Sequence, residues 1–170
     1  RFNLSYKPFV YFDTVVSWPW LFYKDYDFNK NEIGIPKDVL PRIKKVVELL
    51  KTAEYADAIG VDFHKIGFAP YNNSLFLVKN KAELHSVVSD SPITRERDIF
   101  GNNFLQHHTI EHSRSAAPVM AAWTILQSLG VQGFQMYLAQ MMIVGDVFRN
   151  ILTKYGFELL NPQSLCYASV

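Results

Sequence analysis

The sequence predicts an α/β domain, a mostly parallel sheet flanked by helices, and three observations carry that expectation. Strand-like apolar segments alternate with helical ones along the chain. The central strand candidates are apolar nearly throughout, the pattern of strands covered on both faces. The composition is core-rich: of 170 residues, 49% are hydrophobic, 15% aromatic and 19% charged. A chain of that size and make-up can bury one substantial core.

Residues 9–16 form the first strand candidate, β-branched and aromatic but for Asp13. A carboxylate inside such a run has to be paired or hydrogen-bonded, or it titrates to neutral. Alternatively, Asp13 ends the strand and caps the turn that follows. Residues 17–28 are dense in aromatics, and Pro19 argues against a strand interior. A loop or short helix is expected there, lying over the strand end as cover for a pocket or as part of a subunit contact. A polar loop with Gly34 and Pro36 follows. Over residues 36–55, Val39, Leu40, Ile43, Val46, Val47, Leu50 and Ala53 recur at three- and four-residue steps, with Lys and Glu on the other face. This predicts an amphipathic helix with proline near its first turn and a solvated basic face.

Residues 56–65 read as an apolar strand running into His64 and Lys65, with Gly67 and Pro70 directly after as turn chemistry. Residues 75–78 predict a further strand, 82–88 a short helix and 89–103 a polar loop of the length that is often functional. Residues 115–129 are Ala-rich and predict a buried helix ended by Gly130. Residues 131–155 predict a second, longer helix in which Met141 and Met142 fill core space. Gly156 stops it, and the final residues alternate like a strand around Cys166.

The formal net charge of +1 argues for neither nucleic acid nor an anionic membrane surface as partner. No apolar run approaches the roughly 20 residues that span a bilayer. With one cysteine, Cys166, no intrachain disulfide forms, which suits a reducing compartment and a cytoplasmic protein. The 13 Phe, 9 Tyr and 3 Trp imply a large core or a surface that meets another polypeptide. The chain opens at Arg1 without an initiator methionine or signal-peptide layout and stops in a strand-like segment at Val170. Both ends are expected to be cuts through a longer protein.

Asp13 and Lys65 each fall near the carboxyl end of a predicted strand, the edge at which open α/β sheets bind ligands. One helix and one crossover fit between them, so the strands can be neighbours with both polar groups at one mouth. A lysine ending a buried strand is poorly hydrated, which lowers its pKa toward that of a usable nucleophilic amine; a lysine pointing into solvent is the simpler alternative. The pair suits pyridoxal phosphate, which needs a lysine for a Schiff base and an acid that keeps its pyridine nitrogen protonated.

At this point the chain resembles a known family. Residues 11–15 are similar to the family's His-Val-Asp-Ala-Ala strand, and residues 56–65 to its Ala-Asp-Ser-x-x-x-Asp-Pro-His-Lys segment. Residues 111–117, running into the helix before Leu129 and Gly130, resemble its later Ser-Arg and Leu-Gly-x-x-Gly parts. The family is the group II pyridoxal-phosphate-dependent amino-acid decarboxylases, and the resemblance runs in order through nearly the whole chain. It implies the large domain of an aspartate-aminotransferase-like, fold type I enzyme over residues 1–155, with 156–170 opening the small C-terminal domain. It implies that Lys65 holds the cofactor, Asp13 pairs with its pyridinium nitrogen and His64 sits beside it, touching its phosphate. It also implies decarboxylation of an L-amino acid by a homodimer with the active site at the subunit interface.

The chain departs from the family pattern in three places. Ala58 replaces the commoner Ser, Phe63 replaces Pro before the histidine, and residues 89–112 lack the tyrosine tied to Cα protonation. His107 and His108 are the remaining candidates for that proton transfer. One competing motif is present: His108, Glu111 and His112 spell H-x-x-E-H, the pattern of an inverted zincin, and with a third ligand would make a zinc hydrolase. A non-catalytic fragment or subunit-contact module is the third class considered.

Overall fold

The structure, a computed structural model, describes residues 6–80, 82–83 and 115–161. The chain divides into two compact units, Arg1–Val15 with Ala53–Ala122, and Val16–Thr52 with Trp123–Val170.

The first unit holds a three-stranded sheet of order β1-β2-β3: β1 (Tyr11–Asp13), β2 (Ala58–Asp62) and β3 (Ser74–Val78). β1 runs parallel to β2, with Tyr11 opposite Ala58 and Asp13 opposite Gly60. β3 runs antiparallel to β2, pairing Ser74 with Asp62 and Val78 with Ala58. The α/β class predicted from the sequence therefore holds, with one parallel and one antiparallel pairing among the described strands. Antiparallel pairing follows from the short link between β2 and β3, because a parallel return needs a crossover of about a dozen residues or more. β1 is shorter than the predicted run, and Tyr11 and Asp13 are exposed where burial on both faces was expected. An edge position in the described sheet accounts for that.

Asp57 ties the start of β1 to β2. Its carboxylate takes the Lys7 ammonium at 2.7 Å on one oxygen and the Val10 N–H at 3.0 Å on the other, while its own N–H donates to the Val10 carbonyl. The lysine hydrogen bond, ahead of that from Val10, lowers the Asp57 pKa. At the other end of β1, Thr14 is buried and donates both N–H and hydroxyl to the Gly60 carbonyl, at 3.1 and 2.7 Å. Both ends of the short strand are thus fixed to β2.

The second unit is helical. Residues Trp18–Tyr23 form a 3-10 helix, and α1 (Leu40–Lys51) starts without a side-chain cap but with Pro41 in its first turn. Ile43, Val47 and Leu50 share the buried face of α1, one helical repeat apart. The predicted helix over 36–55 is thereby trimmed to α1, a turn before it and a 3-10 turn (Thr52–Tyr55) after it. The aromatic stretch contributes to the core of this unit: Trp20 and Tyr23 are fully buried, and Phe22 stacks on Phe134 at 4.3 Å. The Tyr23 hydroxyl donates to the Gln135 carbonyl, and the Gln135 side chain returns a bond to the Phe22 carbonyl at 2.8 Å. Burial, with the neighbouring Tyr26, pushes the Tyr23 phenol well above its ordinary pKa.

α2 (Ala117–Lys154) is two helices joined at Gly130, whose φ of 58° and ψ of −171° lie where only glycine sits without strain. The predicted pair on either side of Gly130 is what forms. The first of them is not buried as expected, since Val119, Met120 and Trp123 are exposed. In the second, Phe134, Leu138 and Met142 are fully buried. Arg42 of α1 holds Asp146 by two bonds at 2.7 and 3.0 Å, and the buried Arg149 donates to the same carboxylate. Burial pushes the Asp146 carboxyl up, but the bonds from both arginines bring it below the usual carboxylate value. Among the described residues no helix is long and apolar enough to cross a membrane. The predicted helix over 82–88, the 89–103 loop and the strand around Cys166 lie wholly or mostly outside the described residues.

Candidate active site

The sheet register places the site. β1 and β2 are parallel neighbours, so their carboxyl ends open on the same side, Asp13 closing one and Asp62 the other. Lys65 follows in the turn after β2. The Asp13 Oδ1 accepts the Val15 N–H at 3.0 Å, so Asp13 does cap its own turn. Its Oδ2 has no hydrogen-bond partner among the described residues, and the residue is exposed at the strand end. The two readings of Asp13 made from the sequence are therefore compatible, one for each oxygen.

Lys65 stands 2.8 Å from the Asp62 Oδ2 through its Nζ, with 38% of its side chain exposed. The same carboxylate oxygen lies 3.7 Å from the His64 Nε2. The expectation that poor hydration lowers the Lys65 pKa is corrected: the Asp62 hydrogen bond raises it. Desolvation opposes that, while the charges of Asp62, Asp13 and Tyr71 act in the same upward direction. The strand ends three residues before the lysine, so its stem reaches solvent and its head finds a carboxylate one turn back. Burial pushes Asp62 up, but hydrogen bonds from Lys65 and Ser74, helped by the charges of Lys65 and His64, hold it below the ordinary range.

His64 is nearly buried at its side chain, 7% exposed. Its Nδ1 lies 3.1 Å from the Asn73 N–H and 3.0 Å from the Asn73 carbonyl, and its ring packs on Tyr71 with centroids 4.0 Å apart. Both backbone groups of Asn73 thus hold the ring at Nδ1, and Nε2 is the atom facing Asp62. Asn73 is itself buried and donates to the Pro118 carbonyl at 2.6 Å, which anchors the loop holding His64.

Tyr11 adds a phenol to this face. Its hydroxyl occupies the space where a side chain at position 60 would begin, so Gly60 is what lets the ring lie across β2 toward Phe76 at 6.1 Å. Partial burial and then the charges of Asp13 and Asp62 raise its pKa, with Lys65 opposing.

The structure thus brings Asp13 and Lys65 to one electrostatic neighbourhood without a direct bond between them, and sets His64 beside Lys65 through Asp62. Asp62, Thr14, Asn73 and Tyr71 were not singled out from the sequence. Asp62 had a signal, one turn before Lys65 inside the motif; Thr14 and Asn73 act through backbone bonds that no sequence pattern marks. His107, His108, Glu111 and His112 lie outside the described residues, and among those described no cluster of three or more His, Cys, Asp or Glu could hold a metal.

Comparison with known proteins adds four findings. Residues 40–167 match the family model described as the pyridoxal-dependent decarboxylase conserved domain. That span includes the H-x-x-E-H segment, and nothing in the comparisons supports a zinc hydrolase. The chain is 25% identical over 118 residues to an L-tyrosine decarboxylase of Enterococcus faecium, covering 68% of this chain and 19% of that protein. It is 26% identical over 108 residues to a probable L-tyrosine/L-aspartate decarboxylase of Methanothermobacter thermautotrophicus, covering 64% and 28%. Its fold is that of the crystal structure of mouse CSAD in apo form, with a TM-score of 0.60 at 16% identity over 89% of this chain and 28% of that one. The chain spans between 19% and 28% of the length of these proteins.

Proposed function

The chain belongs to the pyridoxal-dependent decarboxylase family, and from that premise we propose that its protein removes CO2 from an L-amino acid to give the amine. The observation that carries this reading is the placement of Asp13 and Lys65 at the carboxyl ends of adjacent parallel strands. Their donor set fits pyridoxal 5'-phosphate: an accessible primary amine for its aldehyde, and a carboxylate with one oxygen uncommitted for its ring nitrogen.

Lys65 would hold the cofactor covalently through Nζ. Asp13 would hold a proton at the ring nitrogen with its Oδ2, while the Val15 N–H keeps the other oxygen in place. Thr14 holds the strand end that carries Asp13 against Gly60. His64, fixed by Asn73 and Tyr71, would be the residue beside the cofactor and its phosphate. The bound cofactor supplies an electron sink for the carbanion left as CO2 departs.

The remaining parts of the reading are a homodimer with the site at the subunit interface, a cytoplasmic setting, and a division at residue 155 between the large domain and the start of the small one. The test is CO2 release by the intact protein on a panel of L-amino acids that includes tyrosine and aspartate. Release that needs added pyridoxal phosphate and disappears in Lys65→Ala supports the proposal. Amino-group transfer without CO2 from every member of the panel would overturn it.

A further inference from the structure

We propose that Asp62 is the positioning residue of Lys65: one carboxylate oxygen, set between the lysine ammonium and the His64 ring, tethers Nζ in the unloaded protein and must release it before Nζ can reach a carbonyl. The proposal rests on the reading of Lys65 as the attachment point. Its geometry is built from several elements. Asp62 ends β2 and is 14% exposed at its side chain, with Lys65 Nζ at 2.8 Å and His64 Nε2 at 3.7 Å from the same Oδ2. Ser74, its partner in the antiparallel register, adds a hydrogen bond from β3. The His64 ring is itself held between Asn73 and Tyr71. The carboxylate is therefore fixed, and the lysine, with 38% of its side chain exposed, is the partner free to move.

The groups facing Lys65 are Asp62 from β2, Asp13 and Tyr11 from β1, and His64 and Tyr71 from the turn and loop after β2. The two carboxylates favour the ammonium form. Covalent capture needs the opposite form. The ammonium gives one proton to solvent, the freed lone pair forms the C–N bond, and the C–O bond breaks as the oxygen leaves as water with the two hydrogens that remained on the nitrogen. Asp62 thus keeps the resting lysine in place and out of side reactions, at the cost of slower capture at neutral pH.

The test uses the intact protein, stripped of cofactor, and trace acetylation with acetic anhydride across a pH series, read at the Lys65 peptide by mass spectrometry. The native midpoint should lie above that of the same lysine in the urea-unfolded protein. Asp62→Asn should move the native midpoint down, and Asp62→Glu should restore part of the difference. Coincident native and unfolded midpoints overturn the tether, and this comparison decides the matter even where Asp62→Asn does not fold. An unmoved midpoint in a folded Asp62→Asn overturns it as well. A second arm adds pyridoxal phosphate and traps the product with borohydride. Pyridoxyl incorporation at neutral pH should be faster in Asp62→Asn, by about tenfold for each pH unit the midpoint has fallen; equal or slower incorporation contradicts the release step. No pyridoxyl group on Lys65 in either protein overturns the attachment reading and the loading claim with it, even if the acetylation midpoints uphold the tether.

Discussion

Asp13 gives one oxygen to its own turn while the proposed function gives the other to the cofactor, and a substitution can separate the two. Asp13→Asn keeps an acceptor for the Val15 N–H but removes the charge proposed to hold a proton on the cofactor's ring nitrogen. We expect kcat to fall roughly 10²–10⁴-fold, the scale of losing one positioned proton-transfer group, with the near-UV circular dichroism unchanged. A loss of folded structure in this variant would contradict that division. Asp146 is the contrasting case, a carboxylate whose role is structural. Its folded pKa lies below its unfolded value, so its contribution is fully present above the ordinary aspartate range and is lost as pH falls through the lower, folded value. Asp146→Asn should therefore cost about 1.5–3 kcal/mol near neutral pH. The difference from wild type in urea midpoints should shrink as the pH drops below about 4.

At the level of elements, the second unit depends on aromatic packing that periodicity could not assign. Alternation and helical spacing are readable because they repeat; residues 17–28 have no period, so their direction of burial depends on which partner reaches them. Phe134 is that partner, fully buried and stacked on Phe22. Phe134→Ala should cost about 3–5 kcal/mol of stability, measured by denaturant unfolding of the intact protein. Gly130 was legible, because a glycine closing an apolar helical run is a standard stop signal. Its conformation is nearly exclusive to glycine, so Gly130→Ala should cost about 1–3 kcal/mol. A neutral effect on the thermal midpoint would mean that the join between the two helices adopts another shape in solution.

For the molecule as a whole, the class of fold was legible, and the two residues proposed to hold the cofactor stood out, because chemistry-bearing groups interrupt otherwise apolar strands. Asp13 and Lys65 stand out against Phe, Val and Ile, and their spacing leaves room for one crossover. The Asp62–Lys65 ion pair was not legible, since it depends on where β2 ends and how tightly the following turn closes. Neither was the protonation preference of Lys65: burial of the strand suggested an amine made more acidic, whereas a carboxylate 2.8 Å away acts the other way and prevails on a part-exposed side chain. The attachment of pyridoxal phosphate to Lys65 is the claim on which the account turns. Its most direct measurement is peptide mapping after the intact protein is mixed with pyridoxal phosphate and reduced with borohydride. The account predicts a single pyridoxyl group, carried by the peptide that contains Lys65 and absent in Lys65→Ala. A pyridoxyl group found on a different lysine, or one retained in Lys65→Ala, would contradict it.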